Sequence, residues 1–354
     1  MAIQIKIRRD TKAEWDSADP VLLAGELGFE LKDSATSGRF KIGNGYREWS
    51  RLPFWYAYQD SAGAYGSAGG AAATWYGDRA IIGTSTASLA NVQYYDITTT
   101  GNSSAFGTLI NNRTSSTGVL SDTTYALFGG GYNNDIDYVT ISTTGNGSDF
   151  GDLTVSRGLM EGSCDGTYGI WGGGYSSSGH NTIDYVTTAT PGNALDFGDL
   201  SSPRNWSGAF NNGTYGLFAG GYDWNTSSNV NVIDYVTMTS PGNASDFGDL
   251  TASAMTGACS NSTYGLIHLN YTTGSIDYIT MATPGNASDF GDLATTGREF
   301  LAACANATRA TFNGGDGGET VIDYVTIATP SNATDFGDLT YNAEFVSGAS
   351  GSRS

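Results

Sequence analysis

One short motif, Phe-Gly-Asp-Leu, recurs along this chain at nearly regular intervals. Five full copies begin at Phe150, Phe197, Phe247, Phe290 and Phe336. One degenerate copy, Phe-Gly-Thr-Leu, precedes them and begins at Phe106. In chain order the six are separated by 44, 47, 50, 43 and 46 residues. Such a period indicates a repeat architecture, because one supersecondary unit of this size buries its apolar face only against its neighbours.

Each full copy contains four segments with the composition of short β-strands. In residues 201–250 they are Ser207 to Phe210, Tyr215 to Tyr222, Ile233 to Met238 and a segment that ends at Phe247 to Leu250. β-branched and aromatic residues favour strands, and Asn-Gly and Pro-Gly-Asn sequences between the segments favour turns. Four short strands in about 45 residues are typical of a β-propeller blade.

The second strand ends in Gly-Gly-Tyr in three copies, and an arginine follows the last strand. These features resemble kelch repeats, and they stand at Gly130 to Tyr132, Gly173 to Tyr175 and Gly220 to Tyr222, with Arg113, Arg157 and Arg204. The copies depart from kelch in having Phe where the family has Trp, and Leu269-Asn270 replaces one glycine pair. The resemblance implies an all-β fold, a six-bladed kelch-like propeller over residues 79–354.

The two ends of the repeat region complement each other. Alignment of the copies makes Glu344 to Gly351 a first strand, after which the chain stops, whereas the partial copy at Ala80 to Gly83 lacks a first strand. We therefore expect the sixth blade to be closed by the N- and C-terminal strands together, which leaves no sheet edge exposed. An open solenoid would not require this complementarity.

Length variation between copies is concentrated in the loop from the second strand to the third, which has 3, 7, 10, 4 and 5 residues. The link from the fourth strand to the next first strand keeps its length but changes its chemistry. Both connections leave an antiparallel four-stranded sheet at the same end, so the variable segments should form one face that is suited to binding. The predicted ligand-binding residues there are Trp224, Asp223, Trp206, His180, Met160, Glu161, Arg298, Phe300 and Glu319.

A purely structural interpretation competes with this one, since Trp206, Met160, Met255 and Phe300 would also suit packing between blades. Trp224 lies in the longest loop, which is otherwise polar, and offers a stacking surface for a sugar ring. We expect Trp224 to contribute to binding and little to stability.

No catalytic or metal site is predicted. Aspartates repeat in every full copy, as Asp149 with Asp152, Asp246 with Asp249, and again at Asp137, Asp184, Asp234, Asp277 and Asp323. Such repetition favours turn and strand-end hydrogen bonds over calcium binding. The two histidines, His180 and His268, lie in different copies, and no cofactor is expected. Cys164, Cys259 and Cys304 occupy similar positions in different copies and are predicted to be small buried residues.

The formal net charge of -19 lies almost wholly beyond residue 60, where 7 basic residues face 26 acidic ones. Such an acidic body repels phosphate backbones and anionic lipid, so nucleic acid is not an expected partner. No segment is apolar enough to insert into a membrane, and the start of the chain lacks the pattern of a signal peptide.

The first sixty residues are balanced in charge and differ from the repeats. Ile3, Ile5 and Ile7 alternate with polar residues and predict a strand, followed by a short helix near residues 12–18 and strands near residues 22–31 and 39–42. A Gly/Ala/Ser-rich linker is predicted at residues 61–78.

The order of motifs in residues 1–56 resembles the N-terminal domain of the phage major tropism determinant family. They are Ile3 to Thr11, Ala13-Glu14-Trp15, Pro20-Val21-Leu22, Gly25 to Glu30, Lys41 to Gly45, Trp49 and Leu52-Pro53, with Asn44 where the family often has Asp. The resemblance implies that residues 1–60 are a small, mainly-β attachment and trimerisation domain that binds other virion proteins.

These features predict a non-enzymatic phage fibre protein, assembled as a homotrimer in the host cytoplasm and located on the virion. Its propeller, residues 79–354, would bind a host-surface receptor and most simply a glycan. A propeller glycosidase or depolymerase acting on surface polysaccharide is the first alternative, and a structural head or tail decoration protein is the second.

Overall fold

The computed structural model describes residues 7–11, 27–31, 39–42, 55–56, 77–83, 90–111, 113, 117–269, 272–315, 319–341 and 347–351. The chain divides into two compact units, Met1–Ala71 and Ala72–Ser354. Every secondary-structure element in the described residues is a β-strand. None of these residues belongs to a helix that could cross a membrane.

The described residues of unit 1 form one four-stranded sheet in the order β1-β2-β3-β4. Its strands are β1 (Ile7–Thr11), β2 (Leu27–Leu31), β3 (Arg39–Ile42) and β4 (Trp55–Tyr56). β1 and β2 are parallel, and the other two pairs are antiparallel. β2 and β3 lie within the strands predicted near residues 22–31 and 39–42, whereas β1 begins at Ile7, the last isoleucine of the predicted first strand. Neither β4 nor the parallel pairing was predicted. The predicted helix near residues 12–18 lies outside the described residues.

In the part of unit 2 that the structure describes there are six four-stranded antiparallel sheets, which we number in chain order. Sheet 1 comprises β5 (Arg79–Gly83), β6 (Asn91–Asp96), β7 (Ser104–Thr108) and β31 (Ser347–Gly351). Sheet 2 comprises β8 (Gly118–Ser121), β9 (Tyr125–Gly129), β10 (Asn133–Thr140) and β11 (Ser148–Arg157). Sheet 3 comprises β12 (Glu161–Cys164), β13 (Tyr168–Gly172), β14 (Thr182–Thr187) and β15 (Leu195–Asp199).

Sheets 4 to 6 repeat the same meander. Sheet 4 comprises β17 (Gly208–Asn211), β18 (Tyr215–Ala219), β21 (Val232–Thr237) and β22 (Ser245–Asp249). Sheet 5 comprises β23 (Gly257–Ser260), β24 (Tyr264–His268), β25 (Ser275–Thr280) and β26 (Ser288–Asp292). Sheet 6 comprises β27 (Ala302–Ala305), β28 (Arg309–Asn313), β29 (Val321–Thr326) and β30 (Thr334–Asp338).

A small three-stranded sheet lies beside these six and was not predicted. It consists of β16 (Arg204–Asn205), β19 (Tyr222–Asp223) and β20 (Ser228–Asn229). The ten-residue loop of sheet 4 is thus a β-ribbon paired with the link that precedes sheet 4.

The apolar core lies between neighbouring sheets. Phe210 and Leu217 of sheet 4, for example, share one buried cluster with Ile267 and Ile279 of sheet 5. The second strands of sheets 4 and 5 therefore bury aliphatic residues between the sheets, as expected for strands that are covered on both faces.

The last strand of the chain pairs with the first strand of unit 2. β31 is antiparallel to β5, with Ala349 opposite Ile81. The first strands of the sheets also contact one another in a cyclic order, β8, β12, β17, β23, β27, β31 and again β8. The C-terminal segment thus supplies the strand that the partial first copy lacks.

Six asparagines, which we call the junction asparagines, connect each sheet to the preceding one. They are Asn102, Asn146, Asn193, Asn243, Asn286 and Asn332. The side-chain oxygen of each accepts a hydrogen bond, 3.1 to 3.2 Å long, from a backbone N–H in the preceding sheet's fourth strand. One of these bonds joins Asp338 of sheet 6 to Asn102 of sheet 1.

The glycine of Phe-Gly-Asp-Leu permits this close junction. Gly198 has a φ of 145°, and a Cβ there would lie 2.4 Å from the carbonyl oxygen of Gly242 in the next sheet. A side chain at this position would therefore separate the sheets, which explains why the motif recurs.

Candidate functional site

The variable connections lie at one end of each sheet, which we call the loop edge. At this end the second strand connects to the third, and the fourth strand connects to the next sheet. Backbone hydrogen bonds join the loop of sheet 3 to the link after it, from Gly174 N–H to Arg204 O at 2.8 Å, and to the link before it, from Gly158 N–H to Tyr175 O at 2.9 Å. The loop edge is therefore a hydrogen-bonded surface and not a set of independent loops.

Trp224 is packed against the neighbouring loop. Its ring stacks on Tyr175 of sheet 3 with centroids 4.6 Å apart, and its edge contacts Tyr222 at 5.4 Å. The indole N–H donates to Asn205 Oδ1 at 3.1 Å, and 37% of the residue stays exposed. The expectation that Trp224 contributes little to stability remains a prediction, and these contacts argue against it because they join two loops.

Trp206 and Phe300 contact each other although their links lead into sheets 4 and 6. Their ring centroids are 5.0 Å apart, and both residues are half-buried. Both also have positive φ, as does Leu159 at the corresponding position before sheet 3. The shared conformation at this link position agrees with the packing interpretation for Trp206 and Phe300.

Glu161 is the first residue of β12 and lies near these links. It lines a small cavity with Ala209, Ala258 and Gly348 of other first strands. Burial raises the pKa of its carboxyl well above the ordinary value, although a hydrogen bond from Ser347 acts in the opposite direction.

Three predicted ligand-binding residues are buried. Met160 is fully inaccessible and packs in a core cluster with Trp171. Arg298 is buried in an ion pair, and the buried Asp223 accepts a bond from Asn225 N–H in its own turn. Their assignment as ligand contacts on the surface is therefore corrected, because these side chains are buried and make contacts within the protein instead.

The aspartates of the third strands form buried ion pairs that sequence reasoning missed. The pairs are Arg113–Asp137, Arg157–Asp184, Arg204–Asp234 and Arg298–Asp323, with N···O distances of 2.5 to 2.9 Å. Copies that have the arginine in the link also have the aspartate in the next third strand, and this joint recurrence is the sequence feature that could have predicted the pairs. The predicted turn hydrogen bond is found instead at Asp246, whose Oδ1 accepts a hydrogen bond from Gly248 N–H at 3.1 Å.

No such ion pair is formed by the described residues of sheet 5. Ala254 stands where the links before sheets 2, 3, 4 and 6 have arginine, and Asp277 accepts bonds from the Thr251 N–H and hydroxyl, both at 2.7 Å, as Asp234 does from Ser201. Burial raises the pKa of the Asp277 carboxyl above its ordinary value, and the Thr251 bonds act against this shift.

In the described part of the chain, no contact joins the two remaining predicted residues, His180 and Glu319. His180 is half-buried, and its Nε2 lies 2.8 Å from the Ser176 hydroxyl. Burial, with a smaller effect of Arg157, lowers the pKa of His180, so its ring is neutral near pH 7. Glu319 is exposed in the sheet 6 loop. Among the described residues, no carboxylate hydrogen-bonds to His180.

Tyr132, in the loop of sheet 2, is an exposed aromatic residue that was not predicted. Its exposed fraction is 44%, larger than that of Trp224. The sequence feature that could have predicted this exposure is the loop after Tyr132, which has only three residues and is too short to cover the ring.

A narrow cavity lies among the first strands. It has a volume of about 60 Å³ and is lined by residues 119–121, 162–164, 209–211, 258–260, 303–305 and 348–350. Cys164, Cys259 and Cys304 line it as free, buried thiols, as the sequence predicted. Within the described residues, no three His, Cys, Asp or Glu side chains form a group that could hold a metal ion.

Comparison with known proteins identifies one segment. Residues 5–46 match the family model of the major tropism determinant N-terminal domain. The N-terminus of this chain is tropism-determinant-like. That match supports the resemblance found in the motifs and indicates a phage tail or attachment protein. No curated protein matches the chain.

Proposed function

We propose that this protein is a phage fibre protein that attaches the virion to the host surface. The observation that carries the proposal is the match of residues 5–46 to the tropism-determinant domain. Residues 1–60 would bind other virion proteins and associate as a trimer, and three copies of unit 2 would raise weak affinities through avidity.

Unit 2, in this proposal, is a closed six-bladed kelch-like propeller. The cyclic order of the first strands and the shared cavity between them support closure. The junction between sheets 6 and 1 also repeats the bonds of the internal junctions, with Thr340 N–H bound to Gln93 Oε1 at 2.8 Å and Asp338 N–H bound to Asn102.

The loop edge is the proposed receptor-binding face. Loop length and link chemistry vary there, whereas the opposite edge repeats its turns almost unchanged. Partly exposed aromatic rings at Trp224 and Tyr132 suit the apolar face of a sugar, so a glycan is the proposed ligand class.

The purified full-length chain provides the test. It should bind host cells, block adsorption of the phage that carries it, and release no oligosaccharide from the host envelope. Release of oligosaccharide would overturn the proposal in favour of a depolymerase. Failure to bind cells or to block adsorption would favour a decoration protein.

A further inference from the structure

Tyr132 combines exposure with an unfavourable backbone. Its φ is 67°, a left-handed conformation that costs a bulky residue free energy and that glycine adopts without strain. The exposed ring gains little from burial in return. A strained and exposed aromatic residue is more readily explained by a binding role than by stability.

Polar groups are fixed in the same turn. Asp135 Oδ2 accepts hydrogen bonds from Asn111 Nδ2 and Asn133 Nδ2, both at 2.9 Å. A bond from Gly130 N–H to Asp135 O, at 3.1 Å, closes the turn around Tyr132. The half-buried Asp135 carboxylate is thus oriented before any ligand binds. Both hydrogen bonds from the asparagine amides go to Oδ2, and neither goes to Oδ1.

Sheet 3 shows how a ring is covered at this edge. Tyr175 follows the glycine pair there as Tyr132 does in sheet 2, and Trp224 of the sheet 4 loop lies on it. The loop of sheet 3, the next sheet after that of Tyr132, has Ser177 two residues after its tyrosine, at the position where the loop of sheet 4 has Trp224. No indole is therefore supplied to cover Tyr132, although its backbone differs from that of Tyr175 in the sign of φ.

We infer that Tyr132, Asp135 and Asn111 form a binding subsite for a neutral pyranose sugar. The apolar face of the sugar stacks on Tyr132, while its hydroxyls hydrogen-bond to the Asp135 carboxylate and the Asn111 amide. The carboxylate and the acidic body of unit 2 disfavour uronic and sialic acids. This inference rests on the proposed function and deepens it, because it specifies a sugar class and a subsite on the loop edge.

Saturation-transfer NMR on the full-length chain, with a panel of neutral methyl hexopyranosides and methyl N-acetylhexosaminides, tests the inference. At least one probe should bind, and Tyr132→Gly should weaken it by about tenfold or more, as expected for a lost aromatic anchor. Tyr132→Phe should retain binding. The melting temperature of Tyr132→Gly should not fall, because glycine relieves the strain at φ 67°.

Tyr341→Ala is the matched control, since Tyr341 is another exposed tyrosine, in the link after sheet 6. It should leave binding unchanged. Unchanged binding in Tyr132→Gly, or a marked fall in its melting temperature, would overturn the inference. So would exclusive binding of methyl glucuronide. Any of these results can occur while the chain still binds host cells and blocks adsorption, so this subsite can fail without the proposed function failing.

Discussion

Trp224 lies almost flat on Tyr175, with ring centroids 4.6 Å apart and ring planes 16° apart. The two residues belong to the loops of sheets 4 and 3, so the stack joins two copies of the repeat at the loop edge. A Cβ at Gly179 would lie 2.2 Å from the Trp224 ring, so the loop of sheet 3 also fits closely around the indole.

Trp224→Ala should lower the free energy of unfolding by about 1–3 kcal/mol, because a stacked ring and the bond to Asn205 are lost together. Urea titration of the single variants and the double variant with Tyr175→Ala gives the coupling, which should be about 0.5–1.5 kcal/mol. Additive effects would show that the stack does not couple the loops.

The ion pairs predict a contrast between two aspartates at the same place in the repeat. Asp234→Asn leaves the buried Arg204 without its carboxylate partner, which should cost about 3–5 kcal/mol. Asp277→Asn should cost much less, since Asp277 has no arginine partner in sheet 5. Equal losses in urea titrations of the two variants would contradict the assigned role of the arginines.

Much of this fold follows from periodicity, but its side-chain partners do not. The predicted segments of residues 201–250 correspond to β17, β18, β21 and β22, because turn residues and β-branched runs act locally. The stack of Trp224 on Tyr175 joins residues 49 positions apart, and only the conformations of both loops bring them together. The Arg204–Asp234 pair also depends on how one link folds over the next sheet. The sequence therefore shows that each of the two residues recurs but not that they form a pair.

His268 should make stability depend on pH. It is buried in β24, and desolvation, with a smaller effect of Arg298, lowers its pKa from 6.5 to about 3. The unfolded chain binds this proton more readily, so stability falls as pH decreases from about 6.5 towards 3, by at most about 1.4 kcal/mol per pH unit.

Since other groups titrate over the same range, the useful quantity is the difference between His268→Ala and the parent. Alanine occupies this register position in sheet 4, as Ala219. The free energy of unfolding of the variant, measured in urea at pH 7 and pH 4.5, should fall less on acidification than that of the parent. Equal falls would mean that His268 is not buried in its neutral form.

The junction asparagines test whether the repeat array is closed. Asn102 binds Asp338 N–H across the chain ends, as Asn193 binds Asp152 N–H within the array. Asn102→Ala and Asn193→Ala should each cost about 1 kcal/mol, because each removes one equivalent hydrogen bond. A loss for Asn193→Ala alone, in parallel thermal and urea unfolding, would indicate an open array.

The C-terminal strand provides a separate test of closure. Deletion of residues 347–354 removes β31 and exposes the edge of β5, so unit 2 should aggregate or unfold with lower cooperativity. Deletion of residues 352–354 alone is the control and should have little effect. If the longer deletion unfolded like the parent in calorimetry, β31 would have no part in closing the array.

The adsorption rate of phage particles that carry substituted chains tests the central claim, host attachment through the loop edge, most directly. Particles with Tyr132→Gly and Trp224→Ala together should adsorb about tenfold or more slowly than the parent, because two exposed rings of the loop edge are lost. Leu195→Ser is the control at the opposite edge, where Leu195 is 60% exposed and the equivalent residue of sheet 4 is Ser245, and it should adsorb normally. Normal adsorption of the double variant together with slow adsorption of Leu195→Ser would contradict the account and assign receptor binding to the opposite edge.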